Sequence, residues 1–133
     1  MVDKRISILV VEDLASMRMQ IRGLLKQMGF ENVSEARHGK EAMALLQHSR
    51  VDFIISDWNM PESNGMDLLR FVRNHERHEK LPFLMVTGQS EKKNVIEAVQ
   101  AKVSNYIVKP FTPDALEMKM RAILGSSEPL WEK

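Results

Sequence analysis

The sequence contains no cysteine, which excludes disulfide bonds, thiolate metal sites and cysteine nucleophiles. It has no apolar run near the roughly 20 residues of a membrane-spanning helix, and no apolar signal segment follows Met1. Its 19 Lys and Arg residues against 18 Asp and Glu residues give a net charge of +1, too little for a large nucleic-acid interface. We therefore expect a soluble, cytoplasmic protein that binds neither nucleic acid nor a membrane.

The composition indicates one globular domain with a short tail. The chain has 133 residues, of which 44% are hydrophobic and 28% are charged, as in ordinary soluble domains. Regular hydrophobic patterns occupy residues 1–125. Residues 126–133, Ser-Ser-Glu-Pro-Leu-Trp-Glu-Lys, show no such pattern, and we predict a flexible C-terminal tail there.

Short apolar runs alternate with stretches of helical periodicity along the chain. The runs predict strands at residues 6–11, 33–36, 52–56, 82–87 and 105–108. A helical pattern follows each run, with Ser90 and Thr112 as predicted N-caps of the last two helices. Strict alternation of this kind predicts an α/β fold, in which a parallel sheet carries helices on both faces.

Polar residues stand where the predicted strands end. Glu12 and Asp13 follow the first strand, Asp57 the third, Thr87 ends the fourth, and Lys109 follows the fifth. Each could have a local role, such as capping a helix or starting a turn. Because ligands bind at the carboxyl ends of strands in such sheets, we instead expect these side chains to form one site.

The charges of these residues suggest the chemistry of that site. Close carboxylates repel each other by about 4 kcal/mol per pair at an effective dielectric constant of 20, so a cation must offset them. Carboxylate oxygens suit Mg²⁺, which also accepts phosphate oxygens as ligands. A metal, a hydroxyl group and an ammonium group together can neutralise a transferred phosphoryl group. Asp57, at the end of the central strand, is the predicted nucleophile.

Four segments resemble the two-component response regulator receiver domain in residues and in spacing. They are Val10–Asp13, Ile55–Pro61 followed by Gly65, Met85–Gly88, and Tyr106–Phe111. The resemblance covers about residues 5–124 and is strongest to single-domain receivers of the chemotaxis type. It implies a flavodoxin-like, doubly wound sheet of five parallel strands in the order 2-1-3-4-5, with five helices.

The resemblance also implies roles for the acidic residues. Asp57 would accept a phosphoryl group from the phosphohistidine of a histidine kinase. Asp13 and Asp57 would bind Mg²⁺ directly, together with the backbone carbonyl of Asn59, and Glu12 would bind it through water. The protein would then be a phospho-accepting signalling protein and not an enzyme in the usual sense.

Further roles follow from the same resemblance. Thr87 would hydrogen-bond the phosphoryl group, and Lys109, held by a cis bond to Pro110, would pair with it. Thr87 and Tyr106 would form the switch. The partner-binding face would include Lys92, Tyr106, Phe111 and Lys119. One departure from the family pattern is Ala101-Lys102-Val103 after the fourth helix, where a glycine is usual. Either Lys102 adopts a left-handed conformation, at a cost of about 1 kcal/mol, or the helix ends differently.

A receiver without an output domain must signal by binding another protein. The leading expectation is a monomer that controls the flagellar motor switch protein, with a chemotaxis-type histidine kinase as phosphodonor and a phosphatase as a further candidate partner. The alternative within this class is a stand-alone receiver that acts as a phosphate sink or as a phosphorelay intermediate.

Two other classes compete with a receiver. A haloacid-dehalogenase-like phosphatase also uses a strand-end Asp, but it needs a second Asp two residues later, where this chain has Asn59. A flavin-binding protein would need a Ser/Thr-rich phosphate loop after the first strand. Glu12, Asp13 and Leu14 stand there instead, which argues against anion binding.

Overall fold

A computed structural model describes residues 2–60, 63–88 and 92–132, with the backbone alone described at 92–94. Five strands alternate with five helices, as the sequence predicts. The strands are β1 (Ile8–Val11), β2 (Val33–Ala36), β3 (Phe53–Asp57), β4 (Phe83–Gly88) and β5 (Asn105–Lys109). The helices are α1 (Ala15–Gln27), α2 (Gly39–His48), α3 (Gly65–Arg73), α4 (Lys92–Gln100) and α5 (Pro113–Leu124). Pro61 and the predicted cap Ser90 lie outside the described residues.

The strands form one parallel sheet in the order β2-β1-β3-β4-β5, which confirms the predicted fold class. The register aligns their carboxyl ends: Val11 pairs with Ser56, and Asp57 pairs with Val86. At the other side of β4, Gly88 pairs with Lys109. The residues that end these strands therefore meet at one edge of the sheet.

Alternation along β1 divides the core into two layers. Leu9 and Val11 point into a layer that is covered by α2, α3 and Ala98 of α4. Ile8 and Val10 point into the other layer, which is covered by α1 and α5. All four β1 side chains are fully buried, which explains why the strand is a continuous apolar run. Within the part of the chain that is described, no helix is long and apolar enough to cross a membrane.

Helix α5 begins and ends as its sequence predicts. The Thr112 side chain accepts a hydrogen bond from the Ala115 backbone N–H at 3.1 Å, and Pro113 occupies the first turn. Gly125 ends the helix in the left-handed conformation, with φ of 71°. The cap and the left-handed glycine therefore fix both ends of α5, whose buried side chains Leu116 and Met120 belong to the second core layer.

Lys102, which ends the turn after α4, has the left-handed conformation that its place in the sequence suggested, with φ of 65°. Arg73 at the end of α3 holds this turn: its Nε donates to the Lys102 carbonyl at 2.8 Å. Its Nη1 donates to the Leu81 carbonyl at 2.7 Å. Burial lowers the pKa of Arg73, so these carbonyl contacts compensate for a partly desolvated charge.

The segment after Gly125, where the sequence predicts a flexible tail, contacts the second core layer. Leu130 is only 3% exposed and belongs to the core layer under α1 and α5. Its backbone N–H donates to the Glu117 carboxylate at 2.9 Å. Seven residues without periodicity give no local signal for this packing, because the partners lie on distant elements.

Candidate functional site

Glu12 and Asp13 follow β1 directly, but the first is buried and the second is exposed. Glu12 continues the sheet pairing, since its N–H donates to the Ala36 carbonyl at 3.0 Å, and it is 1% exposed. Asp13 is exposed at the start of the loop to α1. Arg18 on α1 fixes both residues through Nη1, which donates to the Glu12 carbonyl at 2.7 Å and to the Asp13 carbonyl at 3.2 Å.

The role of Arg18 is not evident from the sequence. Its Nε also donates to Glu35 Oε1 at 3.2 Å, so one guanidinium joins α1, the β1 loop and β2. The sequence indicates this role only through a basic residue, Arg18, in the first turn of the helix that follows the acidic end of β1. That signal is weak, because basic residues are common at exposed helix positions.

Asp57, the last residue of β3, is 6% exposed. The backbone after it is fixed, since Trp58 N–H donates to the Val86 carbonyl at 2.8 Å and Gly65 N–H donates to the Trp58 carbonyl at 2.9 Å. A Cβ on Gly65 would overlap the Asp57 carbonyl oxygen and lie 2.8 Å from Met85 Sδ. Gly65 is therefore required by close approach of α3 to the end of β3.

The structure brings the predicted charged residues together. One carboxylate oxygen from each of Glu12, Asp13 and Asp57 lies within 4.8 Å of the other two. Lys109 Nζ lies 3.0 Å from Asp57 Oδ1 and 3.4 Å from Glu12 Oε2. The bond between Lys109 and Pro110 is cis, as the resemblance implies.

Burial and mutual repulsion perturb the carboxyl groups of this cluster. Desolvation, and then repulsion by Asp57, raises the pKa of Glu12 to about 7, although Lys109 opposes the shift. Desolvation also raises the pKa of Asp57 against the stabilising hydrogen bond from Lys109. Burial disfavours the charge on Lys109, but its contacts with Asp57 and Glu12 outweigh this and raise its pKa. One lysine thus does not neutralise the cluster.

The cluster fits a hard divalent cation. Its three candidate ligands are all carboxylates on one sheet edge, two of them buried and one exposed. Mg²⁺ prefers oxygen ligands, uses one or two carboxylates and retains water, so an exposed Asp13 beside buried groups suits it. A cation there would offset the desolvation of Glu12 and Asp57 and the repulsion by Asp57 that raises the pKa of Glu12.

Two other predicted residues lie at the same edge. Thr87 is 2% exposed and pairs with Val108, one residue beyond the Val86 that faces Asp57 across the strands. Asn59 is exposed in the loop that follows Asp57. Trp58, which follows Asp57, is only 7% exposed and belongs to the core layer under α2 and α3.

The predicted switch and partner residues lie on β5, α5 and α4 and in the loop between β5 and α5. Tyr106 on β5 is half-buried, and Lys119 Nζ on α5 lies 5.2 Å from the centre of its ring. Lys119 Nζ also donates to Asn105 Oδ1 at 3.3 Å. Phe111 packs against the second core layer, and Lys92 begins α4, where only its backbone is described.

Residues 8–121 match the family model for the response regulator receiver domain. This match spans most of the chain, so the chain belongs to the receiver-domain family, whose members are signalling proteins and not conventional enzymes. It is 47% identical over 116 residues to the chemotaxis protein CheY of Pseudomonas aeruginosa, covering 87% of this chain and 94% of that protein.

Two solved structures extend the comparison. The chemotaxis response regulator CheY4 of Vibrio cholerae matches with a TM-score of 0.83 and 32% identity, over 90% of this chain and 99% of that one. The receiver domain of the sensor histidine kinase PA1611 from Pseudomonas aeruginosa matches with a TM-score of 0.81 and 25% identity, over 92% and 99%. In that protein a magnesium ion is coordinated in the active-site cleft.

Proposed function

We propose that Asp57 accepts a phosphoryl group from the phosphohistidine of a chemotaxis-type histidine kinase, and that the phosphorylated chain signals by binding another protein. The observation that carries the proposal is the contact of Lys109 Nζ with Asp57 Oδ1 at 3.0 Å, inside a cluster of three carboxylates. The lysine holds the attacking oxygen and offers a positive charge to the incoming phosphoryl group. Relatives named as chemotaxis proteins support the choice of kinase.

Mg²⁺ is the cofactor of the proposal. Asp13, Asp57 and the Asn59 backbone carbonyl would hold it, with Glu12 acting through a water molecule. When bound, the ion neutralises charge on the carboxylates and on the phosphoryl oxygens. Thr87, buried at the same edge, would donate its hydroxyl hydrogen to the phosphoryl group.

The site is poorly equipped to release the phosphoryl group quickly. Asn59 stands two residues after Asp57, where a phosphatase of the haloacid-dehalogenase type needs a carboxyl group as general acid. Without that acid the aspartyl phosphate should persist. A persistent phosphoryl group suits a signal and not a hydrolytic turnover.

The chemical step can be tested with small phosphodonors. The full chain is incubated with Mg²⁺ and acetyl phosphate or phosphoramidate, and the incorporated phosphoryl groups and the released phosphate are counted. We expect about one phosphoryl group per chain and slow phosphate release. Rapid release of many phosphates per chain would instead indicate a phosphatase.

The output proposed is the flagellar motor switch protein, bound at the face that includes Tyr106, Lys119, Phe111 and Lys92. Phosphorylated Asp57 would carry about −2 charge and three strong acceptors. The Thr87 hydroxyl would be drawn toward them, leaving room that Tyr106 fills from the half-buried position it now has. The switch would therefore move a ring on the binding face.

Replacing Thr87 separates chemistry from signalling. Thr87→Ala should still be phosphorylated, since this residue is neither the nucleophile, a metal ligand nor the counter-cation. It loses one charge-assisted hydrogen bond of about 1.5–3 kcal/mol, a large part of the ~5.5 kcal/mol needed to invert a 1:99 equilibrium. Fluorescence titration with the N-terminal peptide of the switch protein should show strong phosphorylation-dependent enhancement in the wild type and little in Thr87→Ala.

Two outcomes of that titration would change the proposal. Equal enhancement in the wild type and in Thr87→Ala would show that the signal reaches the binding face without Thr87. No enhancement in the phosphorylated wild type would favour a phosphate sink or a phosphorelay intermediate. Transfer of the phosphoryl group to a second histidine-containing protein would then distinguish these two roles.

A further inference from the structure

Residues 126–132 contact two helices that are far apart in the sequence, α1 at its end and α5 near its middle. The Glu132 backbone N–H donates to the Gln27 carbonyl at the end of α1, at 3.1 Å. A Cβ on Gly29, in the turn after α1, would collide with the Glu132 carboxylate. Lys4 Nζ donates to the Leu130 carbonyl at 2.8 Å, so the N-terminal segment also joins this contact.

Glu117 on α5 is the second attachment point of this segment. Its side chain is 2% exposed, and Oε2 accepts the Leu130 backbone N–H at 2.9 Å. The same oxygen accepts Arg121 Nε at 2.9 Å, and Arg121 Nη2 donates to the other oxygen. A buried carboxylate with an ion pair and a backbone donor from the tail is a specific anchor, because it would be costly to bury without them.

The tail and the Tyr106 ring contact opposite flanks of α5. Glu117 and Lys119 are two positions apart, which separates them by about 200° around a helix. Glu117 faces residues 126–132, whereas Lys119 faces Asn105 and Tyr106 on β5. Helix α5 is therefore held from both sides at one level along its length.

We propose that residues 126–132 are a brace that holds α5 against the end of α1, and that this brace keeps the Tyr106–Lys119 face in position for a partner. The second half rests on the proposed function, whereas the first half stands on the contacts alone. Fixing a binding element in advance removes part of the ordering cost of association. The brace thus links a segment after the last helix to the affinity of the face on the other side of that helix.

Amide hydrogen exchange of the unmodified chain tests the brace directly. The Leu130 and Glu132 amides donate to Glu117 and Gln27, whereas Ser127 is exposed. We expect the first two amides to exchange at least about tenfold more slowly than Ser127, after correction for intrinsic rates. If all three exchange alike, the tail is not held and the brace does not exist.

Substitution tests whether the tail acts on α5. Leu130→Ala removes most of a buried side chain and should speed exchange of the tail and of α5 amides by about tenfold or more. The matched control, Ser127→Ala, changes an exposed tail residue and should leave both rates unchanged. Faster tail exchange with unchanged α5 exchange would overturn the brace.

The effect on binding is measured with the switch-protein peptide and the phosphorylated chain. We expect Leu130→Ala to weaken binding several-fold relative to Ser127→Ala, with equal phosphoryl incorporation in the two variants. Equal affinities would overturn the link between the brace and the face. If the phosphorylated wild type does not bind the peptide, the proposed output fails, and the exchange comparison still decides whether the brace exists.

Discussion

Two buried glutamates in this chain have opposite acid–base behaviour. Glu12 at the sheet edge and Glu117 on α5 are each 1% exposed. Burial, followed by repulsion from Asp57, raises the pKa of Glu12 to about 7. The hydrogen bond from Arg121 outweighs burial and lowers the pKa of Glu117, with help from the Leu130 N–H. Two equally buried glutamates therefore differ in how readily each carries a negative charge.

The difference lies in the partners. Glu117 has an arginine and a backbone donor and faces no other carboxylate among its hydrogen-bond partners. Glu12 shares one lysine with Asp57 and stands beside Asp13. The negative charge of Glu117 is thus balanced by Arg121, whereas the carboxylates of Glu12 and Asp57 share the single positive charge of Lys109. Such a shortage of positive charge favours a bound cation and is compatible with the proposed phosphoryl transfer.

The largest effect expected is on phosphorylation, at the undercompensated site. Asp57→Asn should abolish labelling by acetyl phosphate in Mg²⁺, because the attacking carboxylate oxygen is lost. The melting temperature should not fall and can rise, since one repulsive charge leaves the cluster. Asp114→Asn, at an exposed position of α5, is the control and should be labelled like the wild type. Undiminished labelling of Asp57→Asn at another residue would refute the assignment.

The next effect expected is on metal binding. Asp13→Ala should severely weaken Mg²⁺ binding with little change in folding, since Asp13 is exposed. In the wild type, Mg²⁺ at ten times its dissociation constant should add about 1.4 kcal/mol to the free energy of unfolding. Melting temperature and Trp58 fluorescence, titrated with Mg²⁺, measure both effects. A wild type that ignores millimolar Mg²⁺ would rule out the metal site.

Matched substitutions test the contrast between the two glutamates. Glu117→Gln loses charge-assisted hydrogen bonds and should lower the free energy of unfolding by about 1–2 kcal/mol. Glu12→Gln in EDTA removes repulsion with Asp57 and should leave this free energy unchanged or raise it. Urea unfolding of both variants gives the comparison. Losses of equal size would mean that burial alone, and not the partners, governs both residues.

The last effect expected is a pH dependence of stability. The folded-state pKa of Glu12 is about 7, above its ordinary value of 4.5, so the folded chain binds more protons in this range. Its contribution to the free energy of unfolding should therefore fall as pH rises from 4.5 to 7 in EDTA. Glu117 has the opposite sign: its stabilisation is present above 4.5 and is lost as pH falls through its lowered pKa.

Urea midpoints of the wild type and of Glu12→Gln, measured between pH 4.5 and 7.5 in EDTA, check this sign. The decline with pH should be clearly shallower in Glu12→Gln, because that variant lacks the titrating group. Parallel curves would show that Glu12 does not titrate in this range.

Much of the fold and of the site could be predicted because the signals are local. Apolar runs and helical periods marked all five strand–helix units, and Thr112, Pro113 and Gly125 marked the limits of α5. Boundaries were less certain: the predicted strand at residues 6–11 is paired from Ile8 onward. The partners Val33 and Phe53 decide that start, and their position is a property of the sheet.

Contacts between distant residues could not be predicted in this way. Arg73 reaches the left-handed Lys102, 29 positions away, and Lys4 reaches Leu130, 126 positions away. A surface arginine or lysine has the same local pattern whether or not such a partner exists. Residues 126–132 likewise find their partners on α1 and α5, at positions that no local pattern indicates.

The alternation of strands and helices along the chain already places Glu12, Asp13, Asp57, Thr87 and Lys109 at one edge, because parallel strands connected by helices must bring their carboxyl ends together. How each carboxylate behaves at that edge depends on the packing around it. A pKa depends on burial and on charges a few ångströms away, and both are set by packing between elements. Only the folded chain distinguishes Glu12, whose pKa is raised by burial and Asp57, from Glu117, whose pKa is lowered by its contacts with Arg121 and Leu130.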